Sequence, residues 1–179
     1  MAQWSDVHYA CDYDWWRSAR GLPEYKGLKF GGDVRQGKWG VRPVKIDMRR
    51  DEIVIHQFGK VGYGGNSGFQ ALNLAVQFGC RTIILVGYDM HDRAGIHWHG
   101  RHEGGLRNPT KTSLARWRGV LDSQAEPLRQ MGVRVINAST ISALTAYPKM
   151  EFSAAMAAAE ETHGAGNTDA CQETFAPAA

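Results

Sequence analysis

The block from Gly59 to Asp89 constrains the fold more than any other part of this chain. Four glycines in Gly59–Gly65 are followed by Asn66, Ser67 and Gly68. Next comes Phe69–Phe78, where Gln70, Asn73 and Gln77 share one stripe and Ala71, Leu72, Leu74, Ala75, Val76 and Phe78 cover the rest. So wide an apolar surface at helical spacing predicts a largely buried helix lying on a sheet. Gly79 ends it, and Thr82–Val86 follows as an unbroken apolar run of the kind found in central parallel strands. Gly87-Tyr88-Asp89 closes that strand. Loop, helix, strand and loop in this order make half of a doubly wound α/β fold.

The flanks extend the pattern. Val7–Cys11 predicts a strand ending at Asp12, which would cap a helix through Trp15, Trp16 and Ala19, closed by Gly21 and Pro23. Leu28–Phe30 reads as a short strand, Gly31–Pro43 as irregular, and Ile53–Ile55, β-branched throughout, as another strand. His91–Lys111 has no periodicity and is long for a connection, a length that marks functional or disordered loops. Leu114, Trp117, Leu121 and Leu128 share a helical face that Pro127 divides or restarts. Gly132 ends that face, and Val133–Ile136 is expected as a parallel neighbour of Thr82–Val86. Ser139–Met150 reads as turns and Phe152–Thr162 as a weak alanine-rich helix. The expectation is one Rossmann-like, three-layer α/β domain over residues 1–162 with a mostly parallel sheet, and a disordered tail over 163–179.

Composition narrows the function classes. A chain of 179 residues can bury a core without disulfides or metal staples. Cys11, Cys80 and Cys171 are far apart and match no metal or redox spacing, which favours a reducing compartment. Met1–Cys11 carries Trp4, Asp6 and His8 where a signal peptide needs an apolar run. Ile83–Val86 is far too short to cross a bilayer. The reading is a cytoplasmic protein without membrane contact, with oligomerisation left open. Net charge of +3 is too small to argue for nucleic acid. Between Arg93 and Arg118, however, Arg101, Arg107, Lys111 and Arg116 face only Glu103, a local charge suited to a phosphate or carboxylate ligand.

Three features carry candidate chemistry. Backbone N–H groups of Gly64, Gly65, Asn66, Ser67 and Gly68 at a helix start can hold an anion, with Asn66 or Ser67 as the cap. The spacing is neither a Walker loop nor a dinucleotide fingerprint, and a tight strand-to-helix turn explains the glycines equally. Asp89 stands at the carboxyl end of the apolar strand, where α/β sheets bind ligands and where a carboxylate also caps turns. His91, His97, His99 and His102 cluster in the following loop. His97-Trp98-His99-Gly100-Arg101-His102 invites comparison with the HxHxDH motif of metallo-β-lactamase-type hydrolases, but Arg101 occupies the aspartate position and repels a dinuclear centre. No metal site is expected, and the imidazoles serve equally well as general bases.

Gly64–Asp89, as Gly-Gly-Asn-Ser-Gly-x-x-Ala-x-x-Leu-Ala-x-x-x-Gly-x-x-x-Ile-x-Leu-x-Gly-x-Asp, resembles a segment shared by bacterial sialyltransferases, Maf-type flagellin glycosyltransferases and archaeal hydroxymethylpterin pyrophosphokinase. From Trp4 to about Met150 the chain also resembles a group of phage and prophage proteins of no assigned function. That likeness runs through Tyr9-Ala10-Cys11-Asp12, Trp15-Trp16, His97-Trp98-x-Gly100-x-His102, Gly105-Leu106-Arg107-Asn108-Pro109 and Val135-Ile136-Asn137-Ala138. The resemblance implies that Ser67 and Gly68 lie beside a nucleotide, that Asp89 is the acid closing the next strand, and that His97 or His102 deprotonates an acceptor hydroxyl. Those relatives begin with a strand, a Gly-x-Gly-Pro-Ser phosphate loop and a second strand, so this chain is expected to start at their third element. A start set too late, a fragment, or a domain that no longer binds a nucleotide in the ancestral way each accounts for that.

The leading expectation is a transferase-like domain that binds, or transfers from, an activated sugar nucleotide. Asp12, Gly64–Gly68, Arg101, Arg107, Asn108 and Asn137 would hold the ligand, and His97, His102 and Asp89 would carry the chemistry. No cofactor is expected beyond such a donor. The alternatives are a zinc hydrolase using His97, His99 and His102, and a non-catalytic phage binding or assembly protein on a degenerate transferase fold.

Overall fold

The computed structural model describes residues 4–92 and 108–165. They form an α/β arrangement of short, wholly parallel strands and five α-helices. Strand β1 (Val7–Ala10) is followed by helix α1 (Tyr13–Ser18), β2 (Leu28–Gly31), a 3-10 helix (Val34–Trp39), β3 (Arg42–Pro43) and β4 (Lys45–Asp47). Then come β5 (Lys60–Gly62), α2 (Ser67–Gln77), β6 (Thr82–Leu85), α3 (Lys111–Ser123), α4 (Ala125–Gln130), β7 (Arg134–Asn137) and α5 (Phe152–Ala165).

The strands pair as β1-β2-β3, β4-β5 and β6-β7. One extended run, 42–47, serves the first two groups. The N–H of Val44 donates to Gly31 O of β2 at 2.8 Å, while the next N–H, of Lys45, donates to Gly59 O just before β5 at 2.8 Å. Successive N–H groups of a strand point to opposite edges, so one segment can feed both neighbours. The expected parallel pairing of β6 with β7 is present, with Thr82 opposite Arg134 and Leu85 opposite Asn137. β6 is not a central strand, however: among the described residues it pairs only with β7. Val86 lies beyond its end and is 61% exposed.

Helix α2 lies between two parts of the core. Phe69 and Leu72 pack with Leu85, Leu121, Leu128 and Val135, while Leu74 joins Phe30, Val44 and Val61. Asn66 caps the helix by accepting from the Phe69 N–H at 2.9 Å, as the sequence allows. Gln70 and Asn73 of its polar stripe are buried.

That burial explains the main difference from expectation. Ile53–Ile55 is not a strand. Its backbone is satisfied by side-chain amides instead. Asn73 Oδ1 accepts from the N–H groups of Val54 (2.9 Å) and Gly62 (3.0 Å), and Asn73 Nδ2 donates to Val54 O at 2.7 Å. Gln124 Oε1 accepts from the Ile53 N–H at 3.0 Å, and Gln77 Nε2 also donates to Val54 O. Buried backbone groups need partners, and here helix side chains supply what a sheet ladder would have supplied.

Smaller corrections follow local chemistry. Gly31–Pro43 is not irregular throughout, because Asp33 and Gln36 form a capping box that starts the 3-10 helix. Asp12 stands at the N-cap of α1 but makes no capping hydrogen bond there. Pro127 falls within α4, a separate segment from α3. Helix α5 runs to Ala165, three residues past the Thr162 boundary read from the sequence.

Candidate functional site

The end of β1, the start of α2 and the first turns of α3 enclose a cleft of about 950 Å³. Asp12 is on its β1 side, Gly65, Asn66 and Ser67 form the turn into α2, and Asn108, Thr110, Ser113, Arg116 and Trp117 supply the wall opposite. His8, Tyr9, Trp15 and Tyr63 add aromatic surface. Thr110 caps α3, its hydroxyl accepting from the Ser113 N–H at 3.1 Å, which fixes where that wall begins.

The glycines of the turn allow close packing. At Gly64 (φ +56°) an added Cβ would lie 2.1 Å from ring atoms of the buried Phe69. At Gly65 (φ +77°) it would lie 2.4 Å from Arg116 Nη1 and 2.9 Å from the Trp117 indole nitrogen. Only glycine lets the loop backbone and the guanidinium meet at this distance. Asp51 fixes the arrangement: one carboxylate oxygen accepts from the Gly64 N–H at 3.1 Å, the other from Arg116 Nη2 at 2.7 Å. The Arg116 guanidinium also lies 5.2 Å from the Tyr63 ring centroid. Both partners of the ion pair are about 40% exposed, so it orients Arg116 more than it stabilises the fold.

Ser67 joins α2 to β1. Its hydroxyl accepts from the Cys11 N–H at 3.2 Å and donates to Cys11 Sγ at 3.1 Å. Burial, reinforced by the adjacent Asp12 carboxylate, pushes the Cys11 thiol up to about 11. At neutral pH it is protonated and a poor nucleophile. Sulfur is a weak acceptor, so the Ser67 proton is easily redirected to a better one.

Of the residues singled out in the sequence, the structure brings Asp12, Gly65, Asn66, Ser67 and Asn108 to this cleft. Gly64 and Gly68 lie behind it, the first against Phe69 and the second with its carbonyl accepting from the Tyr88 hydroxyl at 2.9 Å. Asp89 and Asn137 are elsewhere. The Asp89 carboxylate accepts from Ser139 Oγ, and its backbone carbonyl accepts from the Ala143 N–H at 2.8 Å. Asn137 is fully buried, its Oδ1 accepting from the Ser139 N–H at 3.0 Å. Parallel pairing of β6 with β7 sets these two strand ends side by side, so both side chains organise the turn after β7. His97, His99, Arg101, His102 and Arg107 lie outside the described residues. Among the described residues, no three His, Cys, Asp or Glu side chains group as a metal site would need, and no helix is long and apolar enough to cross a membrane.

Sequence reasoning named only Asn108 of the opposite wall and missed the aromatic lining. Trp117 sits at a core-type helical position, and Arg116 was visible only as one charge in a basic stretch. His8 was missed entirely. Its ring stacks on Trp15 at 4.8 Å and meets the edges of Trp16 and Tyr25, and its Nε2 is buried without a hydrogen-bond partner. Burial lowers the His8 pKa from the usual 6.5. As pH falls, the unfolded chain therefore takes up this proton first. The His8 contribution to stability is whole above pH 6.5 and is lost as pH drops below it towards the lower folded value. Melting temperature measured from pH 7.5 to 5 should fall more steeply for the wild type than for His8→Gln; parallel profiles would contradict this.

Comparison with known proteins assigns no family. No family model matches the chain, and no solved structure matches it. A probable RNA methyltransferase from Arabidopsis thaliana is 40% identical over 50 residues, which is 28% of this chain and 16% of that protein. The chain thus matches well under a fifth of that relative's length.

Proposed function

We propose that this chain is a Rossmann-like, three-layer transferase domain whose cleft binds an activated sugar nucleotide. The observation that carries this reading is the meeting, around one cleft, of a helix-start turn, a guanidinium, an acid and several aromatic rings. Each suits one part of such a ligand. The aromatic surface of Trp15, Tyr63 and Trp117 suits a base. Asp12 can accept hydrogen bonds from ribose or sugar hydroxyls. Arg116 and the Ser67 hydroxyl, turned from its weak sulfur acceptor, suit the phosphate.

In glycosyl transfer the acceptor oxygen bonds to the sugar carbon while the bond from that carbon to the phosphate oxygen breaks. Negative charge builds on the departing phosphate, where Arg116 and the turn before α2 would stabilise it. A general base takes the acceptor proton, and the resemblance to sialyltransferase-like proteins gives that role to His97 or His102. Asp89, tied to Ser139, would act by shaping the strand ends. The partial likeness to an RNA methyltransferase covers too little of either chain to support methyl transfer, but it puts S-adenosylmethionine into the test.

Calorimetry with CMP-, UDP- and GDP-linked sugars should show one of them binding, and Arg116→Ala should weaken it about tenfold, roughly 1.4 kcal/mol. Binding of S-adenosylmethionine with no response to any sugar nucleotide would overturn the reading. So would nucleotide binding that Arg116→Ala leaves unchanged.

A further inference from the structure

A second concave site lies outside the cleft, on the β4–β5 pair. This pocket, about 470 Å³, is lined by Lys45, Ile46, Asp47, Arg49, Arg50 and Lys60; of these only Ile46 also borders the cleft. Four cations therefore face a single carboxylate.

The carboxylate is already occupied by the fold. One Asp47 oxygen accepts from the Arg49 N–H at 3.2 Å, which holds the turn that carries Arg49 and Arg50. The other lies 2.8 Å from Lys60 Nζ and 3.8 Å from Arg50 Nε. The Lys60 interaction, with the Arg49 N–H, holds the Asp47 carboxyl below the usual range, so it is ionised and committed at neutral pH. The side chains of Lys45 and Arg49 make no hydrogen bond or ion pair among the described residues.

Placement concentrates the charge. Lys45 and Lys60 are opposite partners in the parallel register. Such partners sit about 4.8 Å apart across neighbouring strands, with their side chains on one face. Like charges so placed repel one another, a cost that Asp47 offsets at Lys60 but not at Lys45. A ligand with several negative charges on a small body relieves it.

We propose that this pocket is a second anion site, separate from the cleft, that takes a compact polyphosphate group. A single carboxylate would neutralise only part of the excess charge. Arginine forks match phosphate oxygens in bidentate fashion, and the lysines add point charges beside them. The proposal does not depend on what the cleft binds.

The test is calorimetric titration of the whole chain with inorganic pyrophosphate at low salt, for the wild type, Lys45→Ala/Arg49→Ala and Arg116→Ala. The double variant should bind about tenfold more weakly, whether or not Arg116→Ala weakens pyrophosphate binding in the cleft. Because neither altered side chain holds the described fold together and Lys45 faces Lys60, the melting temperature of the double variant should be no lower than that of the wild type. Lys45→Glu provides a second route to the same loss. Absence of pyrophosphate binding to the wild type would overturn the proposal, as would loss only in Arg116→Ala. Binding of a single-stranded oligonucleotide without binding of pyrophosphate would also overturn it, since that would mark an extended ligand and not a compact one.

Discussion

Replacing Asn73 with alanine should destabilise the protein by about 3–5 kcal/mol, lowering its melting temperature by roughly 10 °C. The side chain is fully buried and makes three hydrogen bonds to backbone. Removing it strands the N–H groups of Val54 and Gly62 in the interior, each at a cost of about 1–3 kcal/mol. Val54 O retains Gln77, so the loss on the acceptor side is smaller. Asn73→Asp keeps the accepting oxygen but places a charge where Nδ2 met a carbonyl, and it should be at least as damaging. Urea unfolding measures both. A loss below about 1 kcal/mol for Asn73→Ala would mean that the 53–55 segment finds other partners or water.

Gly64→Ala should cost about 3 kcal/mol, from two sources that act together. The left-handed backbone at φ +56° disfavours any Cβ, by about 1 kcal/mol. The new methyl would also press on Phe69, which is fully buried and cannot retreat without disturbing Leu72, Leu85 and Leu121. Overpacking of this kind typically costs about 1–3 kcal/mol. The two sources separate in a double-mutant cycle. In a Phe69→Leu background the steric part should shrink, so the combined loss should be smaller than the sum of the single losses. Strict additivity would show that the loop had moved away from the ring.

The contrast between these residues shows which parts of the fold could be read from the chain. Local signals were legible. The Asn66 cap, the α2 helix and the glycine stops follow from spacing within about twenty residues, and the parallel β6–β7 pair follows from the crossover rule for strands joined through helices. The polar stripe of α2 was visible but its meaning was not. Gln70, Asn73 and Gln77 look like a solvent face until the 53–62 segment is folded over them. Ile53–Ile55 misled for the same reason, because β-branched composition reports burial and leaves the source of the backbone hydrogen bonds open. At the site, one half was legible. Asp12 and Gly65–Ser67 stand at strand ends and a helix start, which sequence patterns mark. Arg116, Trp117 and His8 reach the same cleft through long-range packing, to which a single sequence gives no access. Asp89 follows β6 four residues past its end at Leu85, away from the cleft, and its partner, Ser139, lies fifty residues further along the chain.

The central claim, that the β1–α2–α3 cleft is the ligand site, is tested most directly by amide and indole NMR shifts during titration with the tightest-binding sugar nucleotide. The account predicts the largest changes at the amides of Gly65, Asn66 and Ser67 and at the indole N–H groups of Trp15 and Trp117. Changes confined to Lys45–Arg50, or absent from the turn before α2 at saturating ligand, would contradict it.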